Sequence, residues 1–245
     1  MTRFAIVSAP RSGNSWVRRV LCDALGIEED AQHNYLDFRG MPDAIGIQIH
    51  WPREPNFQKF LKDNGFHPVV MLRHPLDILC SVMHFIQHEP ATSRWLEGNA
   101  DIPSDLVGQD PASDAFLHYA TGFGAETLLS PSYQWFHDPA SILFRYEEGV
   151  VRGAEAFYES FQCLKLAPGS IERALVTHDL RVFQALPNKH GWQGKPGLWR
   201  DIVPSRHAQR IYERHKTLFD TLGYGVPETD LDVASARGNW TRLCR

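Results

Sequence analysis

The chain has 245 residues, with 25 Lys+Arg against 29 Asp+Glu, and is 43% hydrophobic, 22% charged and 11% aromatic. That apolar content excludes a disordered chain, and the net charge of -4 excludes a broad phosphate-neutralising surface for nucleic acid while leaving room for a local basic pocket. Apolar runs such as Val69–Leu72 fall far short of the ~20 residues that cross a bilayer, so no membrane span is expected. The short stretch Phe4–Val7 runs at once into Pro10-Arg11-Ser12-Gly13, unlike a secretory leader. Cys22, Cys80, Cys163 and Cys244 are widely spaced with no CxxC pair, which suits neither a disulfide framework nor a structural zinc site. A cytoplasmic protein is the expectation.

In chain order, Phe4–Ser8 reads as a short strand running into a Pro/Gly turn. Ser15–Leu25 follows as a helix, with Trp16, Val20, Leu21 and Ala24 on one face and Gly26 at its end. Ala44–His50 is a second strand, stopped by Pro52, and Phe57–Asn64 a helix capped by Gly65. His67–Leu72 is a continuous run rich in β-formers, as in a strand buried on both faces of a parallel sheet. Pro75 opens a helix running to about Gln87. His88–Ala112 is long, polar and rich in Pro, Gly and Asp, and reads as a lid. Ser141–Phe144 is another buried strand and Gly153–Leu164 another helix. The segment Ala185–Pro204, with three glycines, three prolines and two tryptophans, is too irregular for either element and reads as a flexible cover. Arg206–Leu222 returns to a helical pattern, with Ile211, Leu218 and Leu222 opposite a basic face. Alternating strands and helices predict one α/β domain over residues 1–245, with an open, mostly parallel sheet and helices on both faces.

Ser8-Ala9-Pro10-Arg11-Ser12-Gly13-Asn14-Ser15-Trp16 carries the first strand onto a helix N-terminus, where free N–H groups and the helix dipole favour an anion. Gly13 allows close backbone approach, Arg11 adds charge, and Ser12, Asn14 and Ser15 add donors. Against GxxxxGK[ST], the first glycine is missing and Asn14 stands at the lysine, a poor ATPase loop but a sound phosphate cradle. A second segment, Arg73 to Phe85, puts an arginine at the carboxyl end of a strand, where open α/β sheets bind ligands, and Ser81 about two turns into the next helix.

Together these residues resemble the sulfotransferases that use 3′-phosphoadenosine 5′-phosphosulfate (PAPS). Pro10–Trp16 is similar to that family's 5′-phosphosulfate loop, commonly Pro-Lys-Ser-Gly-Thr-Thr-Trp, and Arg73–Phe85 to its 3′-phosphate motif. Arg145-Tyr146-Glu147-Glu148 resembles its Arg-Tyr-Glu-Asp segment, and Gly194–Arg200 its Gly-x-x-Gly-x-Trp-Lys loop. The four matches fall in family order between residue 5 and about 203. The resemblance implies a P-loop-NTPase-like sulfotransferase fold and transfer of the sulfuryl group from PAPS to a hydroxyl of a small-molecule or glycan acceptor. The product would be PAP, with no metal and no nucleic-acid partner.

By the same resemblance, Arg11, Ser12, Gly13, Asn14 and Ser15 would hold the 5′-phosphosulfate, with Arg11 also countering charge on the leaving phosphate. Arg73 and Ser81 would hold the 3′-phosphate. Trp16 is either an adenine-stacking ring or a core aromatic. His50, in Gln48-Ile49-His50-Trp51-Pro52, matches the family's general base, and a neutral imidazole suits that task. Gln48 departs from a frequent family lysine, and Trp192-Gln193-Gly194 from an Arg-Lys-Gly; Lys189 and Lys195 are the available replacements. Gly194 and Lys195 would cover the cofactor, and Thr177 falls near a family adenine contact. Trp51, Phe85, Phe116 and Tyr119 are candidates for an apolar acceptor pocket, with Trp95 and Leu96 in its lid. His84 and His88, four apart on a helix, are a weak metal pair without a third ligand. Two alternatives stand beside transfer: a P-loop small-molecule kinase, and a PAP- or PAPS-binding protein without turnover.

Overall fold

The computed structural model describes residues 2–38, 41–89, 92, 95, 96 and 98–244. Its strands are β1 (Arg3–Ile6), β2 (Glu28–Ala31), β3 (Ile45–Gln48), β4 (His67–Leu72) and β5 (Ile142–Arg145). Helices α1 (Asn14–Leu25), α2 (Pro55–Asp63) and α3 (Pro75–Phe85) alternate with the first strands. Then come α4 (Asp114–Ala120), α5 (Phe123–Phe136), α6 (Tyr146–Arg152), α7 (Ala154–Ser160), α8 (Ser170–Thr177) and α9 (Leu180–Gln184). The chain ends in α10 (Trp199–Ile202), α11 (Ser205–Arg214), α12 (Lys216–Thr221) and α13 (Val233–Leu243).

Among the described residues the five strands pair in the order β2-β3-β1-β4-β5, every pair parallel. The pleat sends alternate side chains of the central strands to opposite faces. Phe4, Ile6, Val69 and Met71 join α1, α7 and α8 in one core; Ala5, Val7, Val70 and Leu72 join α2, α3 and α5 in the other. With both faces covered, Phe4–Ile6 of β1 and Pro68–Leu72 of β4 are buried apolar runs, and the polar Arg3 and the exposed His67 stand only at the strand starts. All strands point the same way, so the segments after β1, β3, β4 and β5 gather at one edge of the sheet.

Several expected elements differ. β2, with sequence Glu-Glu-Asp-Ala, was not expected: it is an exposed edge strand, where charge is tolerated and discourages further pairing. β5 was expected to be buried but forms the opposite edge, with Leu143 38% exposed. The helix expected over Gly153–Leu164 is α7 followed by a 3-10 turn at Gln162–Leu164. The continuous helix expected over Arg206–Leu222 breaks at His215, whose ring is drawn into the core with Nε2 2.8 Å from the Ala120 carbonyl. The irregular cover segment contains the single turn α10. Of the expected lid, Pro90, Ala91, Ser93, Arg94 and Glu97 lie outside the described residues. The later part of that segment is packed: Ala100 and Leu106 are buried, and the Tyr119 hydroxyl donates to the Ala100 carbonyl at 3.2 Å. No described helix is long and apolar enough to cross a membrane.

Candidate functional site

The loop between β1 and α1 is fixed from below. Ser8 Oγ accepts from Met71 N–H at 2.6 Å, and Ala9 N–H donates to Ser132 Oγ at 3.0 Å. Arg11 takes a left-handed backbone with φ 63°, and Gly13, with φ 95°, forms the N-cap of α1 without any side-chain cap. The first helical bond runs from Val17 N–H to the Gly13 carbonyl at 3.1 Å. The N–H groups of Asn14, Ser15 and Trp16 thus precede the helical ladder, as at other helix N-termini that bind anions. Gly13 is required on two counts: its φ, and the Tyr146 Cδ2 that would lie 2.6 Å from an added Cβ.

A cavity of about 610 Å³ opens above this loop, lined by Arg11, Gly13, Asn14, Ser15, Trp16, His50, Arg73, Ser81, Gly194 and Lys195. Two arginines enter it from different strands' ends. Arg11 donates from Nε to Ser81 Oγ at 3.1 Å and from Nη2 to the His190 carbonyl at 2.7 Å, with its guanidinium 4.1 Å from the Phe85 ring centre. Arg73 donates from Nη1 to the Arg11 carbonyl at 2.7 Å and lies 4.4 Å over the Tyr146 ring, while its buried Nε has no partner. Among the described residues neither arginine has a carboxylate within ion-pair distance. Burial, and then the neighbouring charge of Arg73, bring Arg11 down to about 9. Two half-buried cations side by side are unfavourable unless an anion joins them.

His50 leaves the end of β3 on the cavity side. Its Nδ1 lies 2.8 Å from the Ser8 carbonyl, an acceptor, so Nδ1 carries the proton and Nε2 keeps the lone pair. The Asn14 amide nitrogen at 3.5 Å from the same Nδ1 is then a contact between two donors, and that amide donates to the Ala9 carbonyl at 2.8 Å instead. Burial pushes His50 down to about 4, so the ring is neutral at physiological pH.

The cover segment is anchored by a buried carboxylate. Asp77, in the first turn of α3, accepts from Gly197 N–H at 2.6 Å through Oδ2 and from Trp199 N–H at 3.0 Å through Oδ1. Tyr146, at the end of β5, donates its hydroxyl to the Gly194 carbonyl at 3.1 Å.

Not every expected residue reaches the cavity. Ser12 is fully buried with Oγ unpartnered and does not line the cavity. Thr177 ends α8 with Oγ1 on the Arg173 carbonyl at 3.1 Å and does not line the cavity; Leu175 and Leu180 do. Lys195 lines it, but is 62% exposed and paired with Asp201 at 2.9 Å. Trp16 lines it while packing edge-on against Tyr146 and Phe157. Of the apolar candidates, Phe85 and Trp95 line the cavity, stacked at 5.6 Å and 3°. Trp51, Phe116 and Tyr119 are core residues instead; Trp51, for example, packs on Tyr35 at 5.2 Å. His84 stacks on Trp192 at 4.8 Å, and no metal-binding cluster exists among the described residues. Tyr146, Arg18 and His190 went unrecognised as site residues. Position just past a strand's carboxyl end marks Tyr146, whereas Arg18 is placed only by its long-range partners Glu29 and Gln48.

No protein-family profile and no curated protein matches the chain. Among solved structures, it is similar to a mouse sulfotransferase in complex with PAP, with a TM-score of 0.67, 14% sequence identity, and coverage of 89% of this chain and 84% of that one. At that identity the likeness bears on the fold: a single α/β domain built on an all-parallel five-stranded sheet, as in the sulfotransferases.

Proposed function

We propose that the protein is a PAPS-dependent sulfotransferase that moves a sulfuryl group to a hydroxyl of its acceptor. The observation that carries this reading is the pair Arg11 and Arg73, half-buried, unpaired with any described carboxylate, and converging beside an uncapped helix N-terminus. Such a site fits a ligand with two separate anionic groups. PAPS, when bound, supplies the sulfuryl group and an anionic leaving phosphate.

In this reading the N–H groups of Asn14, Ser15 and Trp16, with Gly13 and Arg11, hold the 5′-phosphosulfate, and the charge of Arg11 offsets what builds on the leaving oxygen. Arg73 and Ser81 hold the 3′-phosphate, with Ser81 turning from Arg11 to the ligand. Trp16 and Tyr146 flank the base side, and Gly194 and Lys195 lie across the top in the 185–204 segment. Thr177 has no part. His50 orients its Nε2 through the bond to the Ser8 carbonyl and takes the acceptor hydroxyl's proton, the base role that a neutral ring can perform. Trp95, from the 88–112 segment, lies 6.2 Å from His50 and would close over the acceptor.

The test is thermal unfolding with PAP, adenosine 5′-phosphate and Mg-ATP. A ligand at about a hundred times its Kd stabilises by about 2.7 kcal/mol, which for this size is roughly 5–10 °C in Tm. PAP is expected to stabilise most, and Arg73→Ala to remove the advantage of PAP over adenosine 5′-phosphate. Stronger stabilisation by Mg-ATP would favour a kinase; PAP binding without sulfate transfer to a hydroxyl library would favour a binding protein.

A further inference from the structure

Gln48 closes β3 two residues before His50, and the ladder continues through Ile49 N–H to the Ile6 carbonyl at 3.0 Å, so both side chains leave the strand on the cavity face. The amide of Gln48 has a fixed orientation. Its Oε1 accepts from Ser15 Oγ at 3.1 Å and from Arg18 Nη1 at 3.3 Å. A guanidinium only donates, so the atom facing Arg18 is the oxygen, and the amide nitrogen is turned away from it. Among the described residues that nitrogen has no partner.

Arg18 is itself held. It is 8% exposed, with Nε on Glu29 Oε2 at 3.0 Å and Nη1 on the Asp30 carbonyl at 3.3 Å. Its charge is taken up by Glu29, so what it contributes to the cavity is the direction of the Gln48 amide. A cation at position 48 would stand against this guanidinium, whereas a neutral amide adds two N–H donors beside His50 without like-charge repulsion.

We infer that Gln48 is a catalytic hydrogen-bond donor to the sulfuryl group under transfer, and that Arg18 is its positioning residue. The inference rests on the sulfotransferase reading. A donor already oriented before the reaction needs no reorganisation when charge develops, which is the condition under which such a bond accelerates transfer. It also makes contact with PAPS that PAP, lacking the sulfuryl group, does not offer.

The experiment is calorimetric titration of the full chain with PAPS and with PAP. Gln48→Met is expected to weaken PAPS about tenfold or more, the usual consequence of losing one bond to a charged oxygen, and to leave PAP within about twofold on the same argument. Gln48→Glu keeps the shape and both contacts on Oε1 but loses the donor, and should move the PAPS-to-PAP affinity ratio the same way. Arg18→Gln should shift that ratio less, in the same direction, because the amide is present but no longer oriented. A merely structural role would lower both affinities together. PAP binding with an unchanged ratio in both Gln48 variants would overturn the donor assignment alone. A wild-type protein that binds neither nucleotide would overturn the sulfotransferase reading and this inference with it.

Discussion

Asp77→Asn is expected to release the 185–204 segment from the body of the protein. The carboxylate is 2% exposed and uses both oxygens on backbone donors, Gly197 N–H at 2.6 Å and Trp199 N–H at 3.0 Å. An amide offers one oxygen, so one N–H would face an NH₂ group that cannot accept. Losing a charge-assisted bond costs about 1.5–3 kcal/mol, and stranding a buried donor about 1–3 kcal/mol. Part of this is recovered, because burial disfavours the charged carboxylate and raises the Asp77 pKa above its ordinary value, a penalty that the neutral amide escapes. A net loss of about 2–4 kcal/mol remains, equivalent to roughly 5–15 °C in Tm for a chain of this size. Thermal unfolding measures the total. Limited proteolysis locates it, with new cleavage expected between Ala185 and Pro204, and PAP titration should show weaker binding because Gly194 and Lys195 ride on the same segment. An unchanged Tm with an unchanged cleavage pattern would show that the two backbone bonds do not hold the segment, and the argument would fail.

Gly13→Ala should lower Tm and weaken PAP at least about tenfold, since a left-handed non-glycine residue costs about 1–2 kcal/mol and the new methyl would displace Tyr146. Gly26→Ala, whose Cβ meets nothing within 4 Å, is the control: it has the strain without the clash and should leave PAP affinity alone. His50→Ala should reduce kcat for sulfate transfer from PAPS to an alcohol by about 10²–10⁴-fold, with PAP affinity unchanged. Because the neutral ring is the active form and burial holds its pKa at about 4, kcat/KM should stay level from neutral pH down to roughly 5 and fall as pH approaches 4. A fall centred near the ordinary histidine value of about 6.5 would contradict the burial of the ring.

The parts legible in the sequence are those where one local requirement dominates. β4 matches its expected span residue for residue, because a strand covered on both faces shows an unbroken apolar run, here Pro68–Leu72 after the exposed His67. The β1–α1 loop is legible for a different reason: a glycine N-cap and a cluster of donors have few other uses at that spot. β2 escaped because an edge strand of Glu-Glu-Asp-Ala has no apolar period to detect. The break between α11 and α12 escaped because His215 is a polar residue buried through a bond to a carbonyl 95 positions away. Long-range partnership also hid half the site. Arg18 carries no signal until Glu29 and Gln48 are brought beside it, and Asp77 looks like an ordinary acidic residue in a helix's first turn until residues 197 and 199 arrive. Conversely, Trp51, Phe116 and Tyr119 were assigned to a pocket because their type suits either a pocket or a core, and only packing tells the two apart.

The strand order has a consequence for synthesis. β1 is translated first among the strands yet lies at the centre of the sheet, and its two neighbours are β3 and β4. At about 5–20 residues per second, Leu72 follows Ile6 by roughly 3–13 s, and until then at least one side of β1 has no strand to pair with. During that interval Phe4, Ala5 and Ile6, all fully buried at the end, present an apolar ribbon with free backbone groups. Ribosome-bound chains arrested before β4 are therefore expected to be sticky and protease-sensitive over Phe4–Ile6, and chains extended well past it to be protected there. The segment that delivers the anion-binding loop thus stays uncovered on one side until β4 arrives.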